Sequence, residues 1–177
     1  MIDTAGYGKA LFELAAENGT DARVREELEL IGQALRENRS YVTLLDTPAV
    51  PTEEKQTLLQ QAFGTVDPML LNFLNLLCEK RSFYLFSACA DAYDRFYDEA
   101  HNLLRADAIT AVPMQERQIA ALKEKLERLT GKTVILNNCI DESLIGGITL
   151  RYGGVQLDES IRAGLDKLRC SLSDTIV

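Results

Sequence analysis

Leu85-Phe86-Ser87-Ala88-Cys89-Ala90-Asp91-Ala92-Tyr93-Asp94-Arg95-Phe96-Tyr97-Asp98-Glu99-Ala100-His101-Asn102-Leu103-Leu104-Arg105-Ala106-Asp107-Ala108-Ile109-Thr110-Ala111-Val112-Pro113 is the stretch on which the fold turns. In its first half Leu85, Phe86, Cys89, Tyr93, Phe96 and Ala100 recur three or four residues apart, which predicts a helix of about 20 residues, roughly 30 Å at 1.5 Å per residue. Beyond Leu104 that period is lost. Ala106–Val112, with Ile109 and Val112, reads as a short strand ended by Pro113. The chain therefore changes architecture near Leu104.

Upstream, every apolar run keeps the helical period. Tyr7, Leu11, Leu14 and Ala15 form one stripe and Val24, Leu28, Ile31 and Leu35 a second, read as two antiparallel helices. Between them Asn18-Gly19-Thr20-Asp21 offers a glycine for the C-terminal turn and Asp21 as the next N-cap. A short helix over Ser40–Asp46 stops before Pro48 and Pro51, Thr52 is placed to cap the next helix, and Gly64 ends it. Asp67-Pro68 then opens a helix whose Leu70, Leu71, Phe73, Leu74 and Leu77 cover more than one face, so it is expected to be largely buried.

Downstream, Ile119, Leu122, Leu126 and Leu129 mark a helix over Gln115–Leu129 before Gly131. Val134 and Leu136, then Ile148, Leu150 and Tyr152, alternate with polar neighbours, and Gly153-Gly154 supplies a tight hairpin turn into Val155 and Leu157. A last helix is expected over Ser160–Leu172. These readings predict an all-α helical bundle over 1–104 followed by a small α+β domain over 105–177.

Composition limits function. The chain has 177 residues, 46% hydrophobic and 26% charged, within the range of a globular protein with a real core. No run approaches the roughly 18 apolar residues of a membrane span, and Met1-Ile2-Asp3-Thr4 lacks the opening of a signal peptide, so a cytosolic setting is expected. The net charge of −8 sits wholly in the first region, where residues 1–104 carry 9 basic and 17 acidic side chains against 10 and 10 over 105–177. Such a balance repels phosphate backbones and points to a basic or apolar protein partner rather than nucleic acid.

Catalytic and metal-binding patterns are missing. Cys78, Cys89, Cys139 and Cys170 show no C-x-x-C spacing, so zinc and disulfides are not indicated and each thiol is expected to behave as a small buried hydrophobe. Gly131-Lys132-Thr133 resembles the end of a phosphate loop, but Leu126 stands where that loop needs glycine. Leu11 likewise replaces the third glycine of a dinucleotide fingerprint begun by Gly6 and Gly8. His101, Asp141-Glu142 and Asp158-Glu159 read as helix-end and turn residues. No catalytic residue, metal ligand or cofactor is assigned.

Asp141-Glu142-Ser143-Leu144-Ile145-Gly146-Gly147-Ile148-Thr149-Leu150-Arg151-Tyr152-Gly153, continued by Val155-Gln156-Leu157-Asp158-Glu159-Ser160-Ile161-Arg162-Ala163-Gly164-Leu165-Asp166-Lys167-Leu168, resembles the C-terminal signature of the delta subunit of F-type ATP synthases. The mitochondrial counterpart in that family is the oligomycin-sensitivity-conferring protein. Tyr7-Gly8-Lys9-Ala10-Leu11-Phe12-Glu13-Leu14-Ala15 is similar to the family's opening helix, and Leu129-Thr130-Gly131-Lys132-Thr133-Val134 to its helix-to-strand junction. The chain departs from the family's usual residues at Gly6, Glu159 and Gly164.

The resemblance implies a non-catalytic stator part at the cytoplasmic face of the cell membrane, linking the catalytic head to the peripheral stalk so that rotor torque drives ATP synthesis. It implies that the bundle binds the N-terminal helix of an alpha subunit in a groove between the first helix and the helix containing Leu76, with contacts at Tyr7, Ala10, Val24 and Leu76. The C-terminal domain is expected to bind the b subunits of the stalk through Ile161, Leu165, Leu168 and Leu172. The plainer alternatives are that the first four only pack the bundle and that the last stripe only covers the sheet. A different class of function, a small-molecule-sensing regulator with an α+β ligand domain, is the rival reading.

Overall fold

A computed structural model describes residues 3–144, 146–152 and 155–160. It has α1 (Thr4–Glu17), α2 (Asp21–Glu37), α3 (Arg39–Asp46), α4 (Thr52–Phe63) and α5 (Pro68–Glu79), then a 3₁₀ turn (Phe83–Leu85) leading into α6 (Phe86–Ala100). β1 (Leu103–Thr110), α7 (Glu116–Thr130), β2 (Thr133–Ile140), β3 (Gly147–Tyr152) and β4 (Val155–Ser160) follow. The expected order of helices and then α+β elements is borne out. The chain divides into two compact units between Glu99 and Ala100.

Local chemistry sets the helix ends. Asp67 accepts the Met69 N–H at 2.9 Å and Pro68 takes the first helical position, where its missing N–H costs nothing. Gly131 closes α7 at φ 68°, a left-handed conformation that a side chain disfavours. Two caps fall one residue earlier than expected. Thr20, not Asp21, precedes α2, and the Asp21 carbonyl instead accepts the Tyr93 hydroxyl at 2.8 Å, tying α2 to α6. Pro51, not Thr52, precedes α4, and its carbonyl accepts the Lys55 N–H.

The long helix expected from Leu85 is shorter, 15 residues, because it ends at Ala100 rather than near Leu104, while Asp46 sets its entry. That carboxylate accepts the N–H groups of Phe83 and Tyr84 at 2.7 and 2.9 Å, which holds Phe83–Leu85 as a separate tight turn. The strand expected at Ala106–Val112 begins earlier, at Leu103. Asn102, at φ 52°, breaks the helix and donates from its side chain to the Gly131 carbonyl, so Leu103-Leu104 enter the sheet.

The first unit is built on one core that includes Leu11, Ala15, Leu28, Ile31, Leu59, Leu74 and Tyr93. Cys78 and Cys89 belong to it. Burial pushes the Cys78 thiol up to about 11; Lys55 opposes the rise, while Asp46 and Glu79 add to it. Burial raises Cys89 and Tyr93 as well. The Cys78 thiol keeps a proton in the folded chain that an unfolded chain releases, so its stabilising contribution is complete below pH ~9 and falls as pH rises toward 11. Cys78 alone is expected to withdraw ~2–3 kcal/mol across that interval. Urea midpoints at pH 8 and 10.5 measure the loss, and Cys78→Ala is expected to show a smaller fall than the wild-type chain.

In the second unit the described strands run in the order β2-β1-β3-β4. β1 and β2 are parallel, with Leu104 opposite Val134, and α7 is their crossover. β3 pairs antiparallel with β1, Leu150 opposite Ala108, and with β4, Tyr152 opposite Val155. Only two residues separate that last pair, as the hairpin reading required, although Gly153 and Gly154 themselves lie outside the described residues. Ala106, Ala108, Val134 and Leu150 pack with Leu126 of α7 on one face. The expected helix over Ser160–Leu172 also lies outside the described residues from position 161 onward.

Candidate partner-binding groove

α1 must satisfy two neighbours at once. Gly8, Leu11 and Ala15 are buried, and Gly8 lies directly against Cys89, Ala92 and Tyr93 of α6. With that face fixed, the stripe one step round the helix, Tyr7, Ala10 and Leu14, faces outward. On α5, Leu70, Leu74 and Leu77 are fully or almost fully buried, which leaves Met69, Asn72 and Leu76, together with the largely buried Phe73, at the i, i+3, i+4, i+7 spacing of a second stripe.

The two stripes line a groove of about 490 Å³, completed by Leu11 in its floor. Tyr7 and Phe73 meet across it at 6.5 Å between ring centroids, tilted by 53°. Leu14 is 48% exposed, and Ala10 leaves a notch between the larger Tyr7 and Leu14. Asn72 contributes the only amide among otherwise apolar or aromatic lining residues. Such a surface is costly in water and suits the apolar face of a helix.

Tyr7, Ala10 and Leu76, expected together from the sequence, line this one groove. Val24 does not. It is 0% exposed on α2, inside the core with Leu28 and Ile31, so no docked chain reaches it without opening the bundle. Met69, Asn72 and Phe73 were not singled out for the groove; their spacing with Leu76 is the signal that identifies them. Ile161, Leu165, Leu168 and Leu172 lie outside the described residues.

The remaining candidates take structural places. Gly131-Lys132-Thr133 forms the α7-to-β2 corner, and Asp141 accepts the Ser143 N–H at 2.9 Å in a turn; the Ser143 side chain first, and then this N–H, hold its carboxyl below the usual range. Cys139, expected to be buried, is exposed on β2 because strand alternation turns it away from α7. Among the described residues no group of three or more His, Cys, Asp or Glu could hold a metal ion. No described helix is long and apolar enough to cross a membrane.

Residues 4–172 match the family described as ATP synthase delta (OSCP) subunit. The chain is 34% identical over 169 residues to ATP synthase subunit delta of Synechococcus elongatus, covering 94% of each. With the same subunit of Moorella thermoacetica it shares 33% over 162 residues, 92% of this chain and 91% of the other. Its fold is similar to a chain of the Toxoplasma gondii mitochondrial ATP synthase hexamer, with a TM-score of 0.76 over 97% of this chain and 98% of that one, at 24% identity.

Proposed function

Because this chain belongs to the ATP synthase delta (OSCP) family, we propose that it works as a mechanical link, holding the catalytic head of an F-type ATP synthase to its peripheral stalk. The chain is a stator component of that enzyme, and the observation that carries its mode of action is the apolar groove between α1 and α5. In our reading the N-terminal helix of an alpha subunit lies in this groove, its large side chains seated over Ala10 and against Tyr7, Phe73 and Leu76. A few such anchors supply ~2 kcal/mol or more each, enough to hold against torque without any chemistry at the contact.

The same reading assigns the b subunits to the C-terminal unit, through the apolar stripe Ile161, Leu165, Leu168 and Leu172, and sets the assembly at the cytoplasmic face of the cell membrane. The subunit itself is non-catalytic. The rival of a small-molecule sensor has no support in a family match that runs through both units.

A link must have two separable ends. Removing residues 161–177 is expected to leave the affinity for an alpha-subunit N-terminal peptide unchanged in calorimetry. The same truncation is expected to abolish capture of b subunits and to uncouple ATP hydrolysis from ion pumping in the reassembled enzyme. Retained capture by the truncated chain places the stalk contact elsewhere and overturns that assignment.

A further inference from the structure

The charges around the α1/α5 groove are one-sided. On α1 the groove stripe Tyr7-Ala10-Leu14 continues at helical spacing to Asp3, four residues before it, and to Glu17, three residues after it. On α5 Leu76 continues three residues on to Glu79. All three carboxylates are exposed. Asp3 caps α1 by accepting the Gly6 N–H at 3.0 Å, and Glu79 accepts a 3.4 Å bond from Gln56.

Counter-charge is sparse. Lys9 pairs with Glu13 on another side of α1, at 3.6 Å, and Lys80 and Arg81, both exposed, stand just beyond the end of α5. Like α3, α4 and α6, neither α1 nor α5 has a basic residue in its last turn, whereas α2 has Arg36 and α7 has Arg128 there. Glutamates at the negative end of a helix dipole disfavour their own helix, so Glu17 and Glu79 add to the negative field at the ends of α1 and α5.

We infer that the groove takes a basic amphipathic helix, one whose apolar stripe is bracketed by Lys or Arg at both ends. The inference rests on the groove being the alpha-subunit site and specifies the chemistry of the occupant. Asp3 and Glu17 are 14 positions apart in the sequence, roughly 21 Å along a helix, so an occupant lying alongside α1 carries its cations about two heptads apart. The apolar stripe supplies adhesion, and the flanking ion pairs fix its register and speed its capture.

The test uses the full chain and the N-terminal helix peptide of the alpha subunit from the same enzyme. Its affinity is expected to fall roughly tenfold between 50 and 300 mM salt, because several exposed pairs act together. The triple variant Asp3→Asn, Glu17→Gln, Glu79→Gln keeps the cap at position 3. It is expected to bind about tenfold more weakly at low salt, and with little salt dependence. Glu26→Gln, on α2 and away from the groove, is expected to bind as the unaltered chain does. Affinity unchanged by salt and by the triple variant overturns the electrostatic assignment while leaving the groove itself in place. Absence of peptide binding under all conditions overturns both. A dimer of the chain at micromolar concentration, broken by Ala10→Asp, names a second copy as occupant and likewise overturns the basic helix.

Discussion

Ala10→Asp is expected to cut the affinity for the alpha-subunit N-terminal peptide at least 100-fold while leaving the chain folded. Ala10 is exposed in the free subunit, so the new carboxylate stays hydrated there and its cost to α1 is only that of helix propensity, under ~1 kcal/mol. In the complex it lies between Tyr7 and Leu14 against an apolar partner, facing Phe73 and Leu76 across the groove, without a cation to pair with. An unpaired charge removed from water costs on the order of 3 kcal/mol, a factor of about 100 or more. Ala16→Asp makes the same change on the same helix outside the groove and serves as the control. Calorimetry gives the affinity and circular dichroism the fold. Equal affinities for the two variants remove Ala10 from the site.

The second large effect is expected at Gly8, where α1 crosses α6. A side-chain carbon at that position lies 2.6 Å from the Ala92 Cβ, 2.8 Å from the Cys89 carbonyl oxygen and 2.9 Å from the Tyr93 nitrogen. Two of those three neighbours are backbone, which cannot swing aside as a flexible side chain does. Alanine gains ~1 kcal/mol of helix propensity and loses at least that much to the clash. Valine adds two more methyl groups to the same space, so Gly8→Val is expected to cost ~3 kcal/mol or more and to lower the melting temperature by roughly 10 °C or more. Because Gly8 fixes the roll of α1, the variant is also expected to bind the peptide more weakly, through displacement of Tyr7 and Ala10. A melting temperature within about 2 °C of the unaltered chain shows that α1 and α6 can separate without cost.

Much of the architecture is legible without coordinates because it depends on neighbours in sequence. The Asp67-Pro68 start, the Gly131 stop and the three-or-four spacing of Leu28, Ile31 and Leu35 are local rules, and the structure obeys them. The hairpin that pairs Tyr152 with Val155 follows from alternation on both sides of two glycines. Tyr7, Ala10 and Leu76 were legible through resemblance to the delta-subunit family, which carries information about a partner that periodicity cannot hold.

Tertiary contacts decided the rest. Val24 and Leu14 are both apolar residues on helical stripes, yet one is sealed at 0% exposure and the other lies 48% open. Nothing in the residues flanking them separates the two, because the difference is made by whichever helix packs on that side. Asp46 likewise sets the turn that leads into α6 from 37 residues away, and Asn102 ends that helix and turns Leu103-Leu104 from helix to strand by bonding to Gly131 across a gap of 29. The sequence by itself determined the order of helices and strands, though not every boundary, and that the acid is concentrated in the bundle. Only the tertiary structure decided which apolar stripe became core and which became groove, since burial is a property of two surfaces and each stripe encodes only its own.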